Sequence, residues 1–115
     1  VYYDIDYDLY YSDLDGKNNT LVYATNQYVS SLNVSDHTIY YIEYTDYTYT
    51  GERTYTLYSI TLDGLHHQKV MTIKTYLFYS NIINHRIYNF IYTLETIYIE
   101  SITFDGQDPV LLDRP

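Results

Sequence analysis

Tyr55-Thr56-Leu57-Tyr58-Ser59-Ile60-Thr61-Leu62-Asp63-Gly64 is the stretch that decides the reading of this chain. Aromatic and β-branched residues fill it until Asp-Gly closes it, so a strand signal runs directly into a turn signal. An earlier stretch, Tyr7-Asp8-Leu9-Tyr10-Tyr11-Ser12-Asp13-Leu14-Asp15-Gly16, matches it at Tyr, Leu, Tyr and the closing Leu-Asp-Gly. A later one, Ile97-Tyr98-Ile99-Glu100-Ser101-Ile102-Thr103-Phe104-Asp105-Gly106, shares Ser-Ile-Thr and Asp-Gly in register. The Asp-Gly pairs recur 48 and then 42 residues apart, so the chain is a repeat protein.

Working outward, each Asp-Gly is expected to supply the positive φ angles of a tight hairpin turn. Strand-like runs follow the turns: Thr20-Leu21-Val22-Tyr23, Lys69 to Ile73, and Val110-Leu111-Leu112. Aromatic strands precede them: Val1-Tyr2-Tyr3, Ile39-Tyr40-Tyr41-Ile42, and Ile87-Tyr88-Asn89-Phe90. Further extended stretches run from Gln27 to Asn33 and from Thr75 to Ile83. Turn chemistry falls at Asn18-Asn19, Asp36-His37, Gly51-Glu52 and Asn84-His85. The expectation is an all-β fold of antiparallel four-stranded units, read as one repeat region over 1–115 with units near 1–26, 27–74 and 75–115.

Composition agrees. Of 115 residues 19 are Tyr, against 3 Phe and no Trp, while Ala and Met occur once each, so strand formers displace helix formers. The formal charge of −9, with six scattered basic residues, speaks against a nucleic-acid partner. There is no cysteine, which excludes disulfides and thiolate metal sites, and no apolar run is long enough to span a membrane as a helix.

Four strands every 42 to 48 residues is the period of a β-propeller blade. Ile39-Tyr40-Tyr41, Tyr44-Thr45-Asp46 and Leu62-Asp63-Gly64 resemble the YWTD repeats of lipoprotein-receptor propellers, and equally the related bacterial repeats. The chain departs from the receptor pattern in having no tryptophan, no intact YWTD tetrapeptide, and a long hairpin from Tyr44 to Thr54. The resemblance implies a partial propeller of about three blades; a β-sandwich or open β-solenoid is the alternative. A propeller needs at least four blades of about 40 residues. The chain is therefore expected to be part of a longer one or half of a symmetric assembly.

Candidate chemistry is sparse. Alternation along one strand would place Asp4, Asp6 and Asp8 on one face, about 6.5–7 Å apart. Such a row suits a Ca2+ ion, or serves only to keep an edge strand from pairing. Asp13-Leu14-Asp15-Gly16 lacks a calcium loop's partners, since Tyr11 and Val22 occupy their places. His66 and His67 are adjacent and would face opposite ways on a strand, while His37 and His85 sit in equivalent turns. Gly-x-Ser-x-Gly and phosphate-binding glycine loops are absent. No catalytic residue, metal site or cofactor is assigned.

Two sequons, at Asn18 and Asn33, fall at expected turns and are candidate glycosylation sites. Most tyrosines read as packing residues, but Tyr47 and Tyr49 in the long hairpin would lie on one side and form a contact surface. The expectation is a non-catalytic extracellular or cell-surface binding or structural module, acting through a protein partner or self-association. The alternatives are a filament subunit and a piece of a glycan-acting propeller enzyme.

Overall fold

The structure, a computed structural model, describes residues 2–5, 8–11, 20–24, 27–45 and 48–112. Among these there is no helix. The first sheet holds β1 (Tyr2–Ile5), β2 (Asp8–Tyr11) and β3 (Thr20–Ala24). The second holds β4 (Tyr28–Ser35), β5 (Thr38–Tyr44), β6 (Arg53–Thr61) and β7 (His67–Thr75). The third holds β8 (Leu77–Ile83), β9 (Arg86–Tyr92), β10 (Ile97–Ile102) and β11 (Val110–Leu111). Every strand pairs antiparallel with its sequence neighbour inside its own sheet, so each sheet is a meander. The all-β class and two four-stranded antiparallel sheets are as expected.

The middle sheet is buried on both faces, and β5 shows why. Its run Ile39-Tyr40-Tyr41-Ile42 has no polar alternation, which is the signature of a strand covered on two sides. Ile39 and Tyr41 turn one way and pack with Ile60 against Val22 and Tyr23 of the first sheet. Tyr40 and Ile42 turn the other way and pack, with Tyr55 and Leu57, against Phe78, Ile87, Ile91 and Ile102 of the third. The sheets also lie along one another at their first strands, β4 against β8 and, more lightly, β1.

Two hairpins, Asp36-His37 and Asn84-His85, are two-residue turns with both φ values positive, 48° and 61° in one, 49° and 63° in the other. They are flanked by the pairs Ser35↔Thr38 and Ile83↔Arg86. That is type I′ geometry, whose twist matches the strands it joins.

The Asp-Gly turns are built differently from the expected two-residue hairpin. Only the glycine carries positive φ, 76° at Gly64 and 83° at Gly106. The Gly64 N–H donates to Thr61 O at 2.8 Å and Gly106 N–H to Thr103 O at 2.9 Å, while the loops close through Thr61 N–H to His66 O and Thr103 N–H to Gln107 O. The reason is the threonine two residues before each aspartate. Its hydroxyl donates to the aspartate Oδ1 and accepts from the backbone N–H of His66 or Gln107, which widens the turn. The first copy, Asp15-Gly16, lies outside the described residues.

Glycine is also required by proximity. A Cβ at Gly64 would stand 2.9 Å from Val22 O of the first sheet, and one at Gly106 would stand 2.4 Å from Val70 O of the second. The same turn thus presses on the preceding sheet twice, and a side chain fits in neither place.

Candidate interaction surfaces

The expected row of three aspartates does not form on one strand. Ile5 pairs with Asp8, so the chain reverses between them and puts Asp4 and Asp8 on different strands; Asp6 lies outside the described residues. Among the described residues no three His, Asp or Glu side chains gather closely enough to hold a metal ion.

His66 is exposed in its loop, whereas His67 opens β7 and points between the first two sheets. There it is 2.8 Å from the Tyr41 hydroxyl, within hydrogen-bonding distance, and is ringed by Tyr23 and Tyr58 at centroid distances of 4.3 and 4.7 Å. Burial pushes the His67 pKa below its ordinary value, and the Glu43 carboxylate pulls weakly the other way. Burial, reinforced by Glu43 and the neighbouring phenols, drives the Tyr41 pKa far upward, and Tyr58 rises for the same reasons. All three rings are therefore neutral at pH 7. This cluster packs the first two sheets together.

Asn33 is on β4 rather than in a turn, which corrects that expectation. The register of β4 slips between Ser30 and Asn33, and Ser31 takes a φ of 55°, the mark of a bulge. This bulge aims two side chains at the free edge of β8. Ser31 Oγ accepts the Ser80 N–H at 3.3 Å, and Asn33 Nδ2 donates to Ser80 O at 3.0 Å. Ser80 Oγ continues to Asn89 Oδ1 at 2.6 Å, a buried polar step between the sheets. The nitrogen that a glycan would join is thus committed to Ser80. Beside it lies an open cleft of about 450 Å³, lined by uncharged residues including Asn81, Tyr79 and Phe90. Asn18, the other sequon, lies outside the described residues.

Tyr49 is fully exposed, but it sits in a turn closed by Gly51 N–H to Thr48 O at 3.0 Å, not on an alternating strand. Tyr47, its expected companion, lies outside the described residues.

Among the described residues, sequence reasoning missed one apolar surface. The outer face of the third sheet carries the cross-strand pairs Leu77↔Tyr92, Tyr79↔Phe90 and Phe90↔Ile99, with Ile83 and Val110 nearby. Tyr79, Ile83, Tyr92, Ile99 and Val110 are all exposed. The signal was present in Ile97-Tyr98-Ile99, a run apolar on both faces.

Repeat register gives this face its meaning. Superposing the Asp36-His37 turn on Asn84-His85 places Tyr40, Ile42 and Tyr44 on Tyr88, Phe90 and Tyr92. Superposing the Asp63-Gly64 turn on Asp105-Gly106 places Tyr55, Leu57 and Ser59 on Ile97, Ile99 and Ser101. In the middle sheet Tyr40, Ile42, Tyr55 and Leu57 are buried against the third sheet. In the third sheet their counterparts face outward. No protein-family model, curated protein or solved structure matches the chain.

Proposed function

We propose that this chain is a non-catalytic binding or structural module, extracellular or on the cell surface, built as a propeller-type stack of YWTD-like sheets that works by docking further protein. One observation carries the reading: the open face of the third sheet repeats, position by position, the face that the middle sheet buries. A monomer rarely exposes so continuous an apolar surface without a use for it. The tyrosines suit the role, because each buries a ring and keeps a hydroxyl available. The light contact of first strands across all three sheets supports a radial arrangement. A filament subunit is the second reading, favoured by the same open face.

Chemical labelling of tyrosine on the native particle tests the module. Tyr79 and Tyr92 are expected to resist modification while Tyr49 reacts freely. Equal labelling of all three would mean that the face stays open in use, and the reading would fall.

A further inference from the structure

Arg86 covers one end of the third sheet. Its guanidinium donates to Ser101 Oγ at 3.0 Å, to Ser101 O at 3.1 Å and to Asp108 O at 2.7 Å, and it pairs with the Asp108 carboxylate at 3.2 Å. The middle sheet has the same framework. Its pairs Ile39↔Ile60 and Tyr40↔Ser59 stand where Ile87↔Ile102 and Tyr88↔Ser101 stand in the third. Carried through that register and the shared Asp-Gly turns, Arg86, Ser101 and Asp108 fall on Thr38, Ser59 and His66. Threonine is too short to reach across the strands as arginine does. Where the third sheet holds its own guanidinium, the middle sheet has an open cleft of about 330 Å³, lined in part by those three residues.

We propose that this cleft binds a guanidinium group, whether on an arginine side chain or on a small free compound. The site lies between the middle and third sheets and does not depend on the reading above. Its floor is uncharged and hydrogen-bonding. Cross-strand pairing sets Tyr40, Ser59 and Gln68 side by side on one face of β5, β6 and β7. Ser59 Oγ and the Gln68 amide have no partner among the described residues, so both can accept N–H donors. The opposite wall comes from the β10–β11 turn. Phe104 packs on Tyr40 at a ring-centroid distance of 5.0 Å and gives the cleft an aromatic side. Asp105 brings the carboxylate that Asp108 brings to Arg86. Its Oδ1 is held by the Thr103 hydroxyl and the Gln107 N–H, which keep the carboxyl below the usual range and therefore ionised. A planar cation with several N–H donors meets a carboxylate, a hydroxyl and an amide oxygen together, and lies flat against an aromatic wall. The compact ammonium of a lysine has no such fork. The formal charge of −9 favours a cationic ligand over an anionic one.

Backbone amide shifts at Ser59, Gln68 and Asp105, followed by NMR during titration, are the test. The probes are N-acetyl-arginine amide, its neutral isostere N-acetyl-citrulline amide, N-acetyl-lysine amide and methylguanidinium. The arginine probe is expected to shift those amides saturably, the lysine probe only at several-fold higher concentration, and the citrulline probe not at all. An equal response to methylguanidinium assigns the cleft to small guanidinium compounds, and a response that needs the longer probe assigns it to an arginine of a protein partner. Thr38→Arg places the third sheet's own side chain in the cleft and is expected to abolish the response while the remaining spectrum stays folded. Asp105→Asn keeps an Oδ1 for Thr103 and is expected to erase the preference for arginine over citrulline. Silence of the three amides toward arginine overturns the inference, as does saturation by citrulline just as readily. So does a folded Thr38→Arg that still responds, or Asp105→Asn with its preference intact.

Discussion

His67 shows how one side chain acquires a property its neighbours in sequence do not share. Half-buried against Tyr41, Tyr23 and Tyr58, it favours the neutral form, so the unfolded chain binds its proton more readily than the folded one. Stability is therefore full above the ordinary histidine value of 6.5 and declines as pH falls from there toward the lower folded value. Urea midpoints between pH 8 and 5 are expected to fall for the wild type and to flatten for His67→Gln. Tyr41→Phe removes the hydroxyl that meets His67 and is expected to cost about 1 kcal/mol, read from the same curves. Asp63 and Asp105 titrate lower still. The threonine hydroxyls beside them hold both carboxyls below the usual range, so their stabilisation is kept above that range and lost in acid beneath it. Gly106→Ala forces a side chain into positive φ and against Val70 O. The conformational part alone costs about 1–2 kcal/mol.

Strand edges are where the elements need protection, and β8 is protected by a neighbour in another sheet. The β4 bulge supplies Ser31 and Asn33, which satisfy the N–H and C=O of Ser80 as a pairing strand would. Asn33→Ala is expected to strip the partner from a buried carbonyl and cost about 1–3 kcal/mol. Hydrogen exchange at the Ser80 amide is expected to quicken markedly in Ser31→Ala and hardly at all in a distant variant such as Leu65→Lys. A similar clamp secures the last strand. Arg86 donates through Nη2 to Asp108 O at 2.7 Å and to Ser101 O at 3.1 Å, and through Nε to Ser101 Oγ at 3.0 Å. The planar fork makes these contacts together, and a lysine would not replace it.

Across the molecule, two cores share the backbone of β5. Leu57 belongs to the core facing the third sheet and Ile60 to the core facing the first, and both are fully buried. Leu57→Ala is expected to cost about 2–5 kcal/mol, read by denaturant titration. Because sheets are coupled only to their neighbours, exchange protection is expected to drop along β8–β10 in that variant. In Ile60→Ala the drop is expected at the first-sheet interface instead.

Much of this was legible before any coordinates. Alternating aromatic and β-branched residues dictate strands because their stiff side chains fit a pleated surface, and the Asp-Gly period reveals the repeat. The run Ile39 to Ile42 was legible as an aromatic strand, but that it is covered on both sides came from the packing. Other features depended on distance across the fold. That His67 rather than His66 is half-buried between two sheets follows from where β7 begins. That Asn33 caps Ser80 instead of marking a turn follows from a bulge facing a strand 47 residues away. Local propensity determined the strands and their faces, since each depends on a residue and its near neighbours. Which faces meet, and which one remains open, was decided only by tertiary packing, because burial is a property of what lies opposite.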